Sequence, residues 1–177
     1  MINKAINLHG KVDIIVNNAG ISMHESTESM SLTNWQRVLD FNLNGTLYLC
    51  NQAIPVMKKQ KSGKIINISS RVAKHPKINN SPSYGASKAG VLYLTKHLAL
   101  ELGLSVINVN AVCPGPIETD MTKIWSESYR KNMMDIVPLK RFGRPEEIAQ
   151  TILFLASNLS DFITGEIINV NGGISMD

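Results

Sequence analysis

Apolar positions along this chain fall into short runs separated by longer stretches of helical spacing. Val12 to Val16 is one such run, ending in Asn17, Asn18, Ala19 and Gly20. A short continuous apolar run predicts a strand buried on both faces. From Thr33 to about Gln60, residues Trp35, Val38, Leu39, Thr46, Cys50, Ala53 and Met57 lie near one stripe. That spacing predicts an amphipathic helix, kinked in its last turns by Pro55. Strand follows from Lys64 to Ser69, then a loop from Arg71 to Ser83 rich in Pro, Asn, Ser and basic residues. A helix is expected from Tyr84 to about Leu102 and a strand from Val106 to Val112. Cys113, Pro114, Gly115 and Pro116 break the pattern and open a weakly helical segment up to Val137. Pro145, Glu146 and Glu147 read as a helix first turn, with proline at N1 and acids beside the positive end of the dipole. That helix is expected to reach about Asn158, and a last strand runs from Glu166 to Asn171.

Strands alternating with helices predict an α/β fold, a Rossmann-like doubly wound parallel sheet. No repeat, low-complexity tract or linker divides the chain, so residues 1–177 are expected to form a single domain. The Tyr84 helix carries Val91, Leu92, Leu94, Leu98, Ala99, Leu100 and Leu102, more apolar surface than one sheet face can cover. This points to self-association as a homo-oligomer, a dimer or tetramer.

Composition narrows the functional classes. Hydrophobic residues make up 44% and charged ones 18%, the balance of a chain that buries a core. The net charge of +4 is scattered and gives no reason to expect nucleic acid as a partner. Cys50 and Cys113 are far apart and match no metal spacing with the four histidines, so no metal is expected. Two unpaired cysteines and no secretory core in the first ten residues fit a cytoplasmic protein. No apolar run approaches the length of a membrane span.

The chemistry concentrates around Tyr84 and Lys88. A lysine at i+4 lies on the same helix face as the tyrosine. A phenol of ordinary pKa about 10 is a poor base at neutral pH. An ammonium at 4 Å would favour phenolate by roughly 4 kcal/mol, about three pKa units, at an effective dielectric near 20. Ser70, 14 residues before Tyr84, falls at the carboxyl end of a strand, where open α/β sheets bind ligands. Read alone, it is a loop hydroxyl that caps a turn. Asn42 lies on the apolar stripe and should point inward, where its amide needs partners. Residues alone leave it either a helix-kink role or a place in a proton relay.

Together these residues resemble the classical short-chain dehydrogenase/reductase family, with likeness to its 3-oxoacyl-[acyl-carrier-protein] reductase group. The run from Asn17 to Gly20 is similar to the family's strand-four motif, which implies cofactor contacts at Asn17, Ala19 and Gly20. By the same resemblance Asn42 is the asparagine that anchors a water of the proton relay. Ser70 orients the substrate oxygen and Tyr84 is the general acid/base. Lys88 lowers the pKa of Tyr84 and holds the nicotinamide ribose. Pro114, Gly115, Ile117 and Thr119 resemble the segment that packs on the nicotinamide. The stretch from Arg141 to Glu147, with Ile163 to Gly165 and Val170 to Gly173, is similar to the family's C-terminal landmarks. The resemblance implies an NAD(P)-dependent oxidoreductase that interconverts a ketone or 3-oxoacyl group and a secondary alcohol. The substrate is then a small carbonyl or alcohol compound, possible also as an acyl-carrier-linked group.

One departure stands out. The family opens with a strand, a Gly-rich turn and a helix that holds the pyrophosphate, and no such motif occurs here. The start at Met1 resembles the end of the helix before strand four, so the chain is expected to be the C-terminal two-thirds of the family's domain. The strand Val12 to Val16 would then be an exposed apolar edge. The alternative expectation is a catalytically inactive fragment serving as an oligomerisation or binding module. NAD versus NADP preference resides in the absent segment. Arg71, Lys74, His75 and Lys77 either favour an acidic or carrier-linked substrate or form a solvated loop.

Overall fold

A computed structural model describes residues 2–78 and 80–176. Met1, where the expected helix remnant begins, and Asn79, within the Arg71 to Ser83 loop, lie outside the described residues, as does Asp177. Four parallel strands, β1 (Ile14–Asn17), β2 (Gly63–Ile68), β3 (Ile107–Pro114) and β4 (Ile167–Val170), pair in chain order. Helices α1 (Ile2–His9), α3 (Gly45–Gln60) and α4 (Pro82–Leu102) bring apolar side chains to one face of the sheet. Ile15 and Ile65 of the sheet pack there against Cys50, Ala53, Met57, Leu98 and Leu102. Helix α7 (Pro145–Ala156) covers the other face, where Ile148 and Leu155 meet Ile66, Ile68 and Val112. The doubly wound arrangement follows from this alternation of inward-facing residues.

The expectation for the first strand needs correction. β1 is buried on one face only: Ile15 and Asn17 point into the α3 layer, whereas Ile14 and Val16 are 44% and 41% exposed. The cause is position, because β1 is the sheet edge beyond the cover of α7. The edge is apolar, as expected.

The long helix from Thr33 to Gln60 is also not uniform. It consists of α2 (Leu32–Leu39), a π-helical turn over Asp40–Asn44, and α3. The irregularity falls on Asn42 and its neighbours, and α3 continues through Pro55 to Gln60. A π turn opens helix geometry locally, and here it seats a fully buried amide. The weakly helical segment after β3 resolves into α5 (Asp120–Lys123) and α6 (Glu127–Ile136). Pro145 is at the start of α7 as expected, and Glu147 reaches back to accept from the Arg144 amide at 2.7 Å.

A line of polar groups crosses the α3/α4 face of the sheet. Asn17 Nδ2 donates to Asn67 Oδ1 at 2.8 Å and to Cys50 Sγ at 3.4 Å. Asn67 Nδ2 donates to Thr95 Oγ1 at 2.9 Å, and Thr95 donates to the Val91 carbonyl at 2.8 Å. Asn17 and Asn67 are register partners, so these bonds tie β1 to β2 and both to α4.

Candidate active site

Two adjoining cavities open at the carboxyl ends of β1, β2 and β3, and they meet at Ser70 and Tyr84. The larger, about 830 Å³, is lined by Asn18, Ala19, Gly20, Lys88, Ile117 and Thr119 among others. The smaller, about 390 Å³, extends beneath α6 toward Trp125 and Tyr129. Pro114 and Gly115 form part of the wall of both.

Ser70 sits just past β2 and caps a short 3-10 turn, its Oγ accepting from the Val72 amide at 3.4 Å. Ser70 and the Tyr84 ring line the same two cavities. Capping a turn and facing Tyr84 are therefore compatible. Tyr84 lies in the first turn of α4, which starts with Pro82 at its N-terminal end. Burial pushes the Tyr84 phenol above its ordinary range, against a smaller opposing effect of Ser70.

Lys88 is buried one turn further on, and Nζ donates to the Ile68 carbonyl at 2.8 Å. It stands 6.0 Å from the centroid of the Tyr84 ring. Burial lowers the Lys88 ammonium to about 8. The i+4 spacing does bring the pair to one face, but the expected depression of the tyrosine pKa is not found. The spacing argument assumed a close charge in a moderately polar setting, whereas desolvation dominates both groups.

Asn42 does not reach either cavity. Its Oδ1 accepts from the Ile21 amide at 2.8 Å, and its Nδ2 donates to the Ile21 carbonyl at 2.9 Å and to Ser87 Oγ at 3.0 Å. Ser87 in turn donates to the Tyr84 carbonyl at 2.8 Å. Asn42 thus clamps the chain leaving β1 to the first turns of α4. Gly20 lies against this cluster, since a Cβ there would be 3.2 Å from Lys88 Nζ and 3.5 Å from Asn42 Oδ1.

The chain belongs to the short-chain dehydrogenase/reductase family. The family described as enoyl-(acyl carrier protein) reductase matches residues 1–175. The 3-oxoacyl-[acyl-carrier-protein] reductase of Aquifex aeolicus is 46% identical over 177 residues, covering 98% of this chain and 71% of the relative. That of Thermotoga maritima is 42% identical, over 98% of this chain and 70% of the relative. The crystal structure of the 3-oxoacyl-[acyl-carrier protein] reductase from Brucella melitensis superposes with a TM-score of 0.93 at 37% identity, covering 98% of this chain and 67% of that one. As a short-chain dehydrogenase/reductase the protein is an NAD(P)-dependent oxidoreductase. No described helix is long and apolar enough to cross a membrane.

Of the expected site residues, Ser70, Tyr84, Lys88, Ala19, Gly20, Pro114, Gly115, Ile117 and Thr119 gather around the larger cavity. Asn17 does not, because it shares the inward parity of Ile15 and is spent on the sheet interior. Asn18 lines the cavity in its place. Strand alternation alone could have separated the two asparagines. Thr122 and Ile148 also line the cleft without having been singled out, since nothing in a weakly helical segment or an amphipathic helix marks which residues face a ligand. The larger cavity fits half of a nicotinamide cofactor: an ammonium, four aliphatic hydroxyls and a phenol line it beside apolar Pro114 and Ile117.

Proposed function

We propose that this protein interconverts a ketone or 3-oxoacyl group and a secondary alcohol, with Tyr84 as general acid/base. The observation that carries the reading is the meeting of Ser70 and Tyr84 where the two cavities join. Bound NAD(P)H supplies a hydride for the carbonyl carbon. Ser70 and Tyr84 hold the carbonyl oxygen between two hydroxyl donors, which stabilises negative charge as it develops there. Tyr84 gives its proton to that oxygen in reduction and takes it back in oxidation. A phenol kept neutral by burial is ready as the acid without prior protonation.

Lys88, with Thr119 and the backbone around Gly20, would hold the nicotinamide ribose and its carboxamide. Its lowered pKa leaves the ammonium easily discharged, which suits a group that passes protons as well as binding hydroxyls. Asn42 is a positioning residue, acting through Ile21 and Ser87. Exposed Tyr93 and Leu100 on α4, at 74% and 88%, support self-association through this helix.

Reduction of the N-acetylcysteamine thioester of acetoacetate, followed at 340 nm with NADPH and NADH, tests the reading. Turnover by the 177-residue chain that drops by about 100- to 10,000-fold in Tyr84→Phe is expected. Cofactor binding without turnover of any ketone would instead favour the inactive binding module.

A further inference from the structure

The smaller cavity has an unusual charge. Arg71 follows Ser70 directly, is 8% exposed and lines this cavity, as does Lys77. Both come from the loop that the sequence left open between a solvated and a substrate-facing role. No aspartate or glutamate among the described residues lines the cavity. Among the described residues Arg71 makes no ion pair, and its electrostatic partner is the Tyr129 phenol. The Lys77 ammonium has, among the described residues, only the Met133 thioether, at 3.0 Å, as hydrogen-bond acceptor. A buried guanidinium without a carboxylate is costly, because the charge has lost its water without gaining a counter-charge. Burial and the neighbouring Arg71 push Lys77 down to about 8, as two cations sharing a small space should.

The rest of the wall fits a compact ligand. Trp125, Tyr129 and Met133 are aromatic or apolar, and about 390 Å³ leaves room for a few carbons beyond the reacting carbonyl. Arg71 and Lys77 line the same cavity as Ser70 and Tyr84, so a ligand of a few carbons can reach from the reacting oxygen to the cations. A guanidinium presents a fork of donors suited to a carboxylate or phosphate.

We propose that Arg71 and Lys77 bind an anionic group, carboxylate or phosphate, carried by the substrate a few bonds from its reacting carbonyl. The inference rests on the reaction proposed above for Ser70 and Tyr84. The preferred substrate is then a small oxo acid or phosphorylated ketone, in which the anion satisfies Arg71. In a neutral acyl thioester the acyl group alone enters this space and leaves both cations unpaired.

Two pairs of probes test this: acetoacetate against its N-acetylcysteamine thioester, and dihydroxyacetone phosphate against dihydroxyacetone. Binding is read by Trp125 fluorescence, with Trp125→Phe as the control that assigns the signal, and turnover by cofactor absorbance. At least one anionic probe should bind and turn over about tenfold better than its neutral partner. In Arg71→Met, and separately in Lys77→Met, that preference should fall about tenfold, while thermal melting reports whether each variant folds. The wild-type comparison needs no variant, so misfolding of Arg71→Met leaves the test intact. Equal or better use of both neutral probes would overturn the inference while leaving the oxidoreductase reading standing. Preferential anion binding with no turnover would support the inference and count against that reading.

Discussion

Lys88 donates a hydrogen bond from its ammonium to the Ile68 carbonyl at 2.8 Å while standing 6.0 Å from the centre of the Tyr84 ring. The lysine is held by the end of β2, and its charge is desolvated by the same packing that surrounds the tyrosine. Both pKa shifts follow from burial, and they act on stability in opposite directions.

Lys88 couples stability to pH through the proton it loses more easily when folded. Its folded pKa of about 8 is below the ordinary 10.5, so between these values the unfolded chain binds more protons. Stability therefore rises with pH across that window, by on the order of 3 kcal/mol from this group. Lys77, also lowered to about 8, acts in the same sense. Tyr84, whose folded pKa is raised, subtracts stability only above the ordinary phenol range. Urea midpoints measured at pH 7.5 and 9.5 should increase, and Lys88→Met should remove about half of the increase.

Catalysis should depend on direction. Reduction uses neutral Tyr84 and should not decline through loss of the phenol proton up to about pH 9, whereas oxidation needs the proton acceptor and should accelerate with pH. Rates in both directions across pH 6 to 10 check this. A decline of reduction centred near pH 7 would assign the proton to another group.

Asn42→Ala removes three hydrogen bonds and leaves the Ile21 backbone groups unsatisfied. A loss of about 3 kcal/mol is expected by urea unfolding. Hydrogen exchange at the Ile21 amide should rise more than exchange at the centre of β2.

Gly115→Ala tests the wall between the cavities. An added Cβ would lie 2.7 Å from Asn171 Cα and 2.9 Å from its carbonyl oxygen, both backbone atoms that cannot swing aside. Destabilisation of about 2 kcal/mol is expected, with weaker cofactor binding by titration.

Cys50 is fully buried, and burial raises its thiol to about 11. Its thiolate is scarce as well as inaccessible. A maleimide reagent should modify it at the rate of unfolding, and mild urea should accelerate the reaction steeply.

The sequence carried much of the architecture because alternating apolar runs and helical stripes are local signals. β2, β3, α4 and α7 lie within two residues or so of their expected limits. What it missed depends on neighbours distant in the chain. The exposed face of β1 reflects where α7 ends its cover of the sheet. The displacement of Asn17 from the cleft reflects a partner, Asn67, 50 residues away. Likewise, i+4 spacing placed Lys88 beside Tyr84 but could not show how dry the pair would be. Arg71 looked like a loop cation until the helix at 127–136 closed over it.

The polar line through Asn17, Asn67 and Thr95 has a consequence for the cleft itself. Hydrophobic alternation tolerates sliding β1 by two residues against β2, because Ile15 and Ile65 would still face inward. Such a slip would separate the register partners Asn17 and Asn67 and leave buried amides without partners. Only one alignment survives that selection. Asn18 to Gly20 leave β1 directly after Asn17, and Ser70 follows three residues after Asn67. The gauge between the two walls of the cleft is accordingly set by a pair of amides inside the sheet, out of contact with any substrate.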